Sequence, residues 1–317
     1  MSSENALKEY NKGIDCLKTS CLRCRFNPDY TSAIPYLKSA ADAFHNYHDY
    51  EKEIEARQNL ITCFQKEESF WEEGKEHEKI SKIYLTQLKS STEAFNSIES
   101  AYASFNKNHS YDDGIKSLMK ASEIFKDNEI DKESEKCLET AFEGIKKYYH
   151  VMIMNENESH MYIYDCIDKY IDCLFEKQQF KKSEAIAKKS ANLIKEEKSD
   201  EIILLDKYYG IQAISQILDK QEEKEYKDTI EKGMNVNIEE SGLCSMVNYL
   251  MNKLKERNKD NNKKLMDIVY EISAKVPNNV YKKLYKYVEE NKIGDNDNNI
   301  NNDKFTDFDD DDFSDMK

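Results

Sequence analysis

Three segments of the chain carry one pattern at one spacing. Tyr30-x-x-Ala33-Ile34-x-x-Leu37-x-x-Ala40-Ala41-x-x-Phe44 is followed by Phe70-x-x-Glu73-Gly74-x-x-His77-x-x-Ile80-Ser81-x-x-Tyr84, and then by Tyr111-x-x-Gly114-Ile115-x-x-Leu118-x-x-Ala121-Ser122-x-x-Phe125. Each opens on an aromatic residue, places small residues near offsets three and ten, and closes on an aromatic at offset fourteen. Apolar residues three and four apart share one face of a helix. The openings lie 40 and 41 residues apart. That length holds two helices, and a repeat of this period is the signature of a helical solenoid. Small residues let neighbouring helices approach closely, and the aromatics fill the space between layers. A coiled coil needs apolar residues about every 3.5 positions over several heptads, which this pattern does not supply.

The intervening stretches show the same kind of stripe. Residues 4–19 place Leu7, Tyr10, Ile14 and Leu17 on one face, and Ile54, Leu60, Ile61 and Phe64 mark the helix after the first repeat segment. Asp29 and Ser69 are expected to cap the helices that follow them. Phe95, Ile98 and Phe105 mark another helix, Leu138, Phe142 and Ile145 the next, and Ile163, Ile167 and Leu174 the one after a polar loop at 155–158. Phe180-x-x-Ser183-x-x-Ile186-Ala187-x-x-Ser190-Ala191-x-x-Ile194 restores the motif. Shorter helices over 228–234, 242–255, 265–274 and 280–288 read as the end cap that an open stack needs to cover its last apolar face. The expected fold is all-α: a tetratricopeptide-like, right-handed helical-hairpin solenoid over 1–225, a compact C-terminal helical cap over 226–291, and a disordered acidic tail over 292–317. Composition agrees, with 8 Gly and 3 Pro in 317 residues, well under the roughly 7 % and 5 % of average usage. So few breakers leave long helices and short connections.

Much chemistry is excluded. The glycines are scattered and form no phosphate loop, and neither Gly-x-Ser-x-Gly nor His-Glu-x-x-His occurs. Cys21-x-x-Cys24 lacks a second pair, and His45-x-x-His48 reads as a surface pair, so no metal or other cofactor is expected. Read as a calcium loop from Asp295, the tail puts Ile300 where Gly is needed and Thr306 where a bidentate Glu belongs. Cys16, Cys63, Cys137 and Cys166 fall at apolar positions and are expected to be reduced core residues. A net charge of −15 argues against nucleic acid as a partner. No apolar run reaches the roughly 18 residues of a membrane span, and no signal peptide is expected. An enzyme is not expected.

One stretch departs from the repeat. Cys21-Leu22-Arg23-Cys24-Arg25-Phe26 is more apolar than a solvated loop needs, and it carries two of the chain's four arginines. It leads into Phe26-Asn27-Pro28-Asp29-Tyr30-Thr31-Ser32-Ala33, followed by Ala40-Ala41-x-Ala43-Phe44 and Tyr50-Glu51. This run resembles the soluble NSF attachment proteins, most nearly their gamma branch. Gln179-Phe180-x-x-Ser183-Glu184 and the residues around Phe313 are similar more loosely.

The resemblance implies a cytoplasmic adaptor, peripherally associated with membranes of the secretory pathway. Such adaptors line an assembled SNARE four-helix bundle and recruit and stimulate an NSF-type AAA ATPase that takes the bundle apart. It implies a membrane-contact loop at Leu22, Arg23, Arg25 and Phe26. It also implies an NSF-facing end at Asp309, Asp310, Asp311, Asp312, Phe313 and Met316, although Lys317 departs from the family ending. Thr140 stands where a family helix carries a basic residue, so the SNARE-facing charge is expected instead from Lys116, Lys120, Lys146, Lys147, Lys181, Lys182, Lys188 and Lys189. A generic tetratricopeptide scaffold or co-chaperone adaptor without a SNARE role is the alternative.

Overall fold

The computed structural model describes residues 3–19, 26–154, 160–196, 201–256 and 262–292. Among them there are fourteen α-helices and no strand. Nine run in sequence through the repeats: α1 (Ser3–Leu17), α2 (Tyr30–Asn46), α3 (Tyr50–Lys66), α4 (Phe70–Thr86), α5 (Ser91–Lys107), α6 (Tyr111–Asp127), α7 (Asp131–Ile153), α8 (Met161–Glu176) and α9 (Phe180–Glu196). Then come α10 (Ile202–Leu218), α11 (Glu223–Val236), α12 (Leu243–Lys255), α13 (Asn262–Ser273) and α14 (Asn278–Asn291). The helical-hairpin reading of the sequence holds: from α1 to α11 each helix packs on the next. The side chain of Asp29 caps α2 as expected, accepting from Ser32 N at 2.9 Å. Ser69 does not act that way; it sits at the N-cap of α4, but its hydroxyl turns back to the Glu67 carbonyl.

The connections are short because the same device closes one helix and starts another. His48, Glu68, Lys89, His109, Glu129, Gln178 and Lys220 all adopt a left-handed backbone, with φ between 53° and 61°. The following N–H turns back to an earlier carbonyl, as in Asp49 N to Phe44 O at 3.0 Å and Gln179 N to Leu174 O at 2.8 Å. This is a Schellman closure, and Asp49, Ser69, Ser110 and Ile130 then serve as the N-caps of the next helices. None of these seven positions is Gly, although the left-handed region costs other residues about 1 kcal/mol or more. The triple variant Glu68→Gly, Glu129→Gly and Gln178→Gly, at exposed positions, is therefore expected to raise stability by about 2 kcal/mol. Urea unfolding measures it, and a loss of stability would refute the strain argument.

Antiparallel succession sorts the helices into two layers. In the even-numbered layer, Lys126 of α6 pairs with Glu176 of α8 at 3.1 Å and Lys169 of α8 with Glu123 of α6 at 2.6 Å. Lys207 of α10 pairs with Asp168 of α8 in the same layer. In the other layer Lys182 of α9 reaches Glu135 and Glu139 of α7, both at 3.1 Å. Small repeat residues sit where the layers meet. Ser81 donates to the Ala94 carbonyl at 2.7 Å, and Ser122 and Ser134 lie 2.9 Å apart. A side chain at Gly74 would press on the Phe105 ring at 2.8 Å, which explains Gly there.

The last helices turn back onto the stack. Helix α11 begins at Glu223 and packs on α10, α12 lies on α10 and α11, and α14 reaches α8 and α10. Two carboxylates of the stack hold them. Asp206 of α10 accepts from Leu243 N at 2.6 Å and Cys244 N at 3.0 Å, capping α12. Asp172 of α8 accepts from Asn279 N at 2.6 Å and its side-chain amide at 2.8 Å, at the start of α14.

Candidate functional site

Helices α9, α10 and α11 enclose a groove of about 900 Å³. Its first wall is a row of lysines on α9, Lys181, Lys188 and Lys195. They are seven residues apart, so they keep to one edge of the helix with only a slight drift. Lys181 approaches Asp219 at 3.9 Å. Lys188 and Lys195 are exposed and make no ion pair among the described residues. The floor is α10, with Tyr209, Gln212 and Gln216, and the far wall is α11, with Glu225, Asp228 and Lys232. Gln216 is buried: its amide donates to Glu184 at 2.9 Å, while its Oε1 has no partner among the described residues. A basic wall faces a mostly acidic one across a polar floor. Such a trough suits an elongated charged segment better than a small apolar ligand.

The eight lysines expected to face one partner are not on one surface. Lys116 and Lys120 belong to α6 in the even layer; Lys116 lies over the Tyr162 ring at 4.6 Å, and Lys120 lines a separate cleft with Glu78 and Lys82. Lys146 and Lys147 sit toward the end of α7, the first paired with Glu143 at 2.6 Å and the second over Tyr148. Lys182 is committed inside the fold. Burial alone would lower its pKa, but the Tyr170 hydroxyl and the carboxylates of Glu135 and Glu139 outweigh that and raise it. Lys189 is exposed. Only Lys181 and Lys188 enter the groove. Lys195, Lys220 and Lys232, which also line it, were not among those expected; the seven-residue spacing from Lys188 is the signal that finds Lys195.

Of the expected membrane-contact loop, Phe26 is described and 73 % exposed, so it does not fold back onto α1. Leu22, Arg23 and Arg25 lie outside the described residues, as do Asp309, Asp310, Asp311, Asp312, Phe313 and Met316. No helix among the described residues is long and apolar enough to cross a membrane. No cluster of three or more His, Cys, Asp or Glu among them is placed to hold a metal ion.

No protein-family model matches the chain. No curated protein matches it either. Among solved structures it is similar to the crystal structure of BtubC (BKLC) from P. vanneervenii, at 9 % identity and a TM-score of 0.33, over 74 % of this chain and 89 % of that one. A likeness this distant assigns neither partner nor function.

Proposed function

We propose that the chain is a non-catalytic adaptor that binds an assembled SNARE four-helix bundle and recruits and stimulates an NSF-type ATPase for its disassembly. The observation that carries this reading is the α9 wall, where Lys188 and Lys195 stand exposed and, among the described residues, unpaired beside a long polar trough. Pairs of exposed charges are individually weak, about 0–1 kcal/mol each. A row of them along a rod-shaped partner adds orientation and encounter rate more than raw affinity, and several adaptor copies on one bundle gain by effective concentration. The exposed Phe26 beside the resemblance-bearing Pro28-Asp29-Tyr30 supports membrane contact near the same task.

Capture of a soluble SNARE bundle and of NSF by the full chain tests the proposal. Lys181→Glu, Lys188→Glu and Lys195→Glu together are expected to weaken bundle capture about tenfold or more in low salt. The gap from wild type should narrow as salt shortens the screening length. Lys182→Ala is expected to leave capture nearly unchanged, since that ammonium is held by Glu135 and Glu139. Wild-type chain that captures neither partner overturns the proposal.

A further inference from the structure

The two ends of the helices differ. Because successive helices are antiparallel, connections after even-numbered helices gather at one end and those after odd-numbered helices at the other. At the even end the five connections from α2–α3 to α10–α11 are tight left-handed turns, at His48, Lys89, Glu129, Gln178 and Lys220. At the odd end α3–α4 and α5–α6 are tight, whereas α1–α2, α7–α8, α9–α10 and α11–α12 are longer.

Most exposed aliphatic side chains follow the same division, the exceptions being Leu7 within α1 and Leu88 in the α4–α5 connection. Val151, Met154, Met161, Ile202, Ile203 and Ile238 are all exposed at the odd end, the end that also carries Phe26. Four of them are the most open: Ile238 at 90 %, Ile203 at 77 %, Met161 at 65 % and Met154 at 64 %. The last three belong to helix ends that are tied together. The hydroxyls of Tyr149 on α7 and Tyr164 on α8 lie 3.0 Å apart, and Tyr164 also donates to Glu201 at the start of α10. Helix α7 has 23 residues against 17 for most of its neighbours, so its tip stands about 9 Å further out. Lys147 sits one and two turns behind Val151 and Met154 on the same face of α7, with its ammonium over Tyr148.

A protein partner demands shape complementarity at packing density. Methionine and isoleucine side chains on three helix ends of unequal reach, backed by Lys147, fit a deformable apolar layer better. Clusters of this kind on an otherwise highly charged surface mark contact sites. We infer that the joined ends of α7, α8 and α10 form a lipid-contact edge, separate in sequence from the α1–α2 loop, which dips into the interfacial layer of a membrane. It leans on the adaptor proposal only in expecting a membrane at the end where Phe26 lies.

Flotation of the full chain with vesicles of phosphatidylcholine and about a third phosphatidylserine tests it. Wild-type chain is expected to float, and Met161→Ser with Ile203→Ser to lower partition about tenfold through the lost apolar burial. The melting temperature should not change, since both side chains are exposed. Met161→Trp is expected to raise partition, because Trp favours the interfacial layer. Capture of soluble SNARE bundle and NSF by the double variant should stay at the wild-type level, which separates this edge from the α9 groove. Three results would each overturn the inference: wild type that does not float, a double variant that floats like wild type, or a double variant that loses soluble capture in parallel.

Discussion

Arg57→Ala is expected to destabilise the N-terminal repeats by about 3–5 kcal/mol, because removing one member of a buried ion cluster strands the others. Arg57 is 6 % exposed, and its partners Glu53 and Glu76 are 1 % and 2 % exposed. Its Nε and one terminal nitrogen donate to Glu53 at 2.9 and 2.6 Å, and the other terminal nitrogen donates to Glu76 at 2.8 Å. Burial alone would lower the guanidinium pKa, but these hydrogen bonds outweigh it and raise it. Without Arg57, Glu53 keeps His45 at 2.9 Å and Glu76 keeps Lys79 at 2.7 Å as partners among the described residues. Those partners place the expected loss in the lower half of the range. The planar fork reaches two helices at once, so Arg57→Lys should recover part of the loss. The triple variant Arg57→Met, Glu53→Gln and Glu76→Gln should cost less than Arg57→Ala alone, since it leaves no buried charge unpaired. Urea unfolding of the three variants checks this order, and a triple variant worse than the single one would contradict the stranded-charge account.

Asp206→Ala is expected to cost about 2–4 kcal/mol and to loosen the C-terminal helices selectively. The carboxylate is buried and accepts the first backbone N–H groups of α12, with the Asn237 amide also near at 3.4 Å. An N-cap is worth about 0.5–2 kcal/mol, and hydrogen bonds to a charged acceptor are stronger than neutral ones. Here the cap comes from a different helix, so its loss also frees the docking of α12 on α10. Gly210 faces Leu243 so closely that α12 has little room to settle differently. Amide exchange should quicken over 243–255 while the α2–α4 region keeps its protection. Asp206→Asn should fall between wild type and Asp206→Ala, because one acceptor oxygen remains. Uniform acceleration along the whole chain would argue against a local docking role.

The groove and the apolar edge were only partly legible. The lysines of α9 are plain in the sequence, yet a helix has several faces. Lys181 and Lys182 are neighbours in the chain, but one lines an open trough and the other is locked between Glu135, Glu139 and Tyr170. That separation comes from about 100° of rotation per residue and from which helix lies alongside. His45 and His48 read alike as a surface pair, yet His45 joins the Glu53 cluster and His48 meets Tyr50 at 2.8 Å. Arg57 is one of four arginines in the sequence, and its partners lie on three helices, Asp42 on α2, Glu53 on α3 and Glu76 on α4.

Local chemistry suffices for what repeats along the chain. Tyr30, Phe70 and Tyr111 with their small and aromatic offsets fix helices, period and fold class, because apolar periodicity depends only on residues a few positions apart. Everything that joins distant residues required the tertiary structure. Asp172 meets Asn279 across 107 positions, Asp206 caps a helix that begins 37 positions later, and Val151, Met161 and Ile203 come to one end because the chain reverses at every connection. No short-range pattern encodes those meetings; they follow from the stacking of the layers, which decides which charges are buried together and which apolar tips stay in the open.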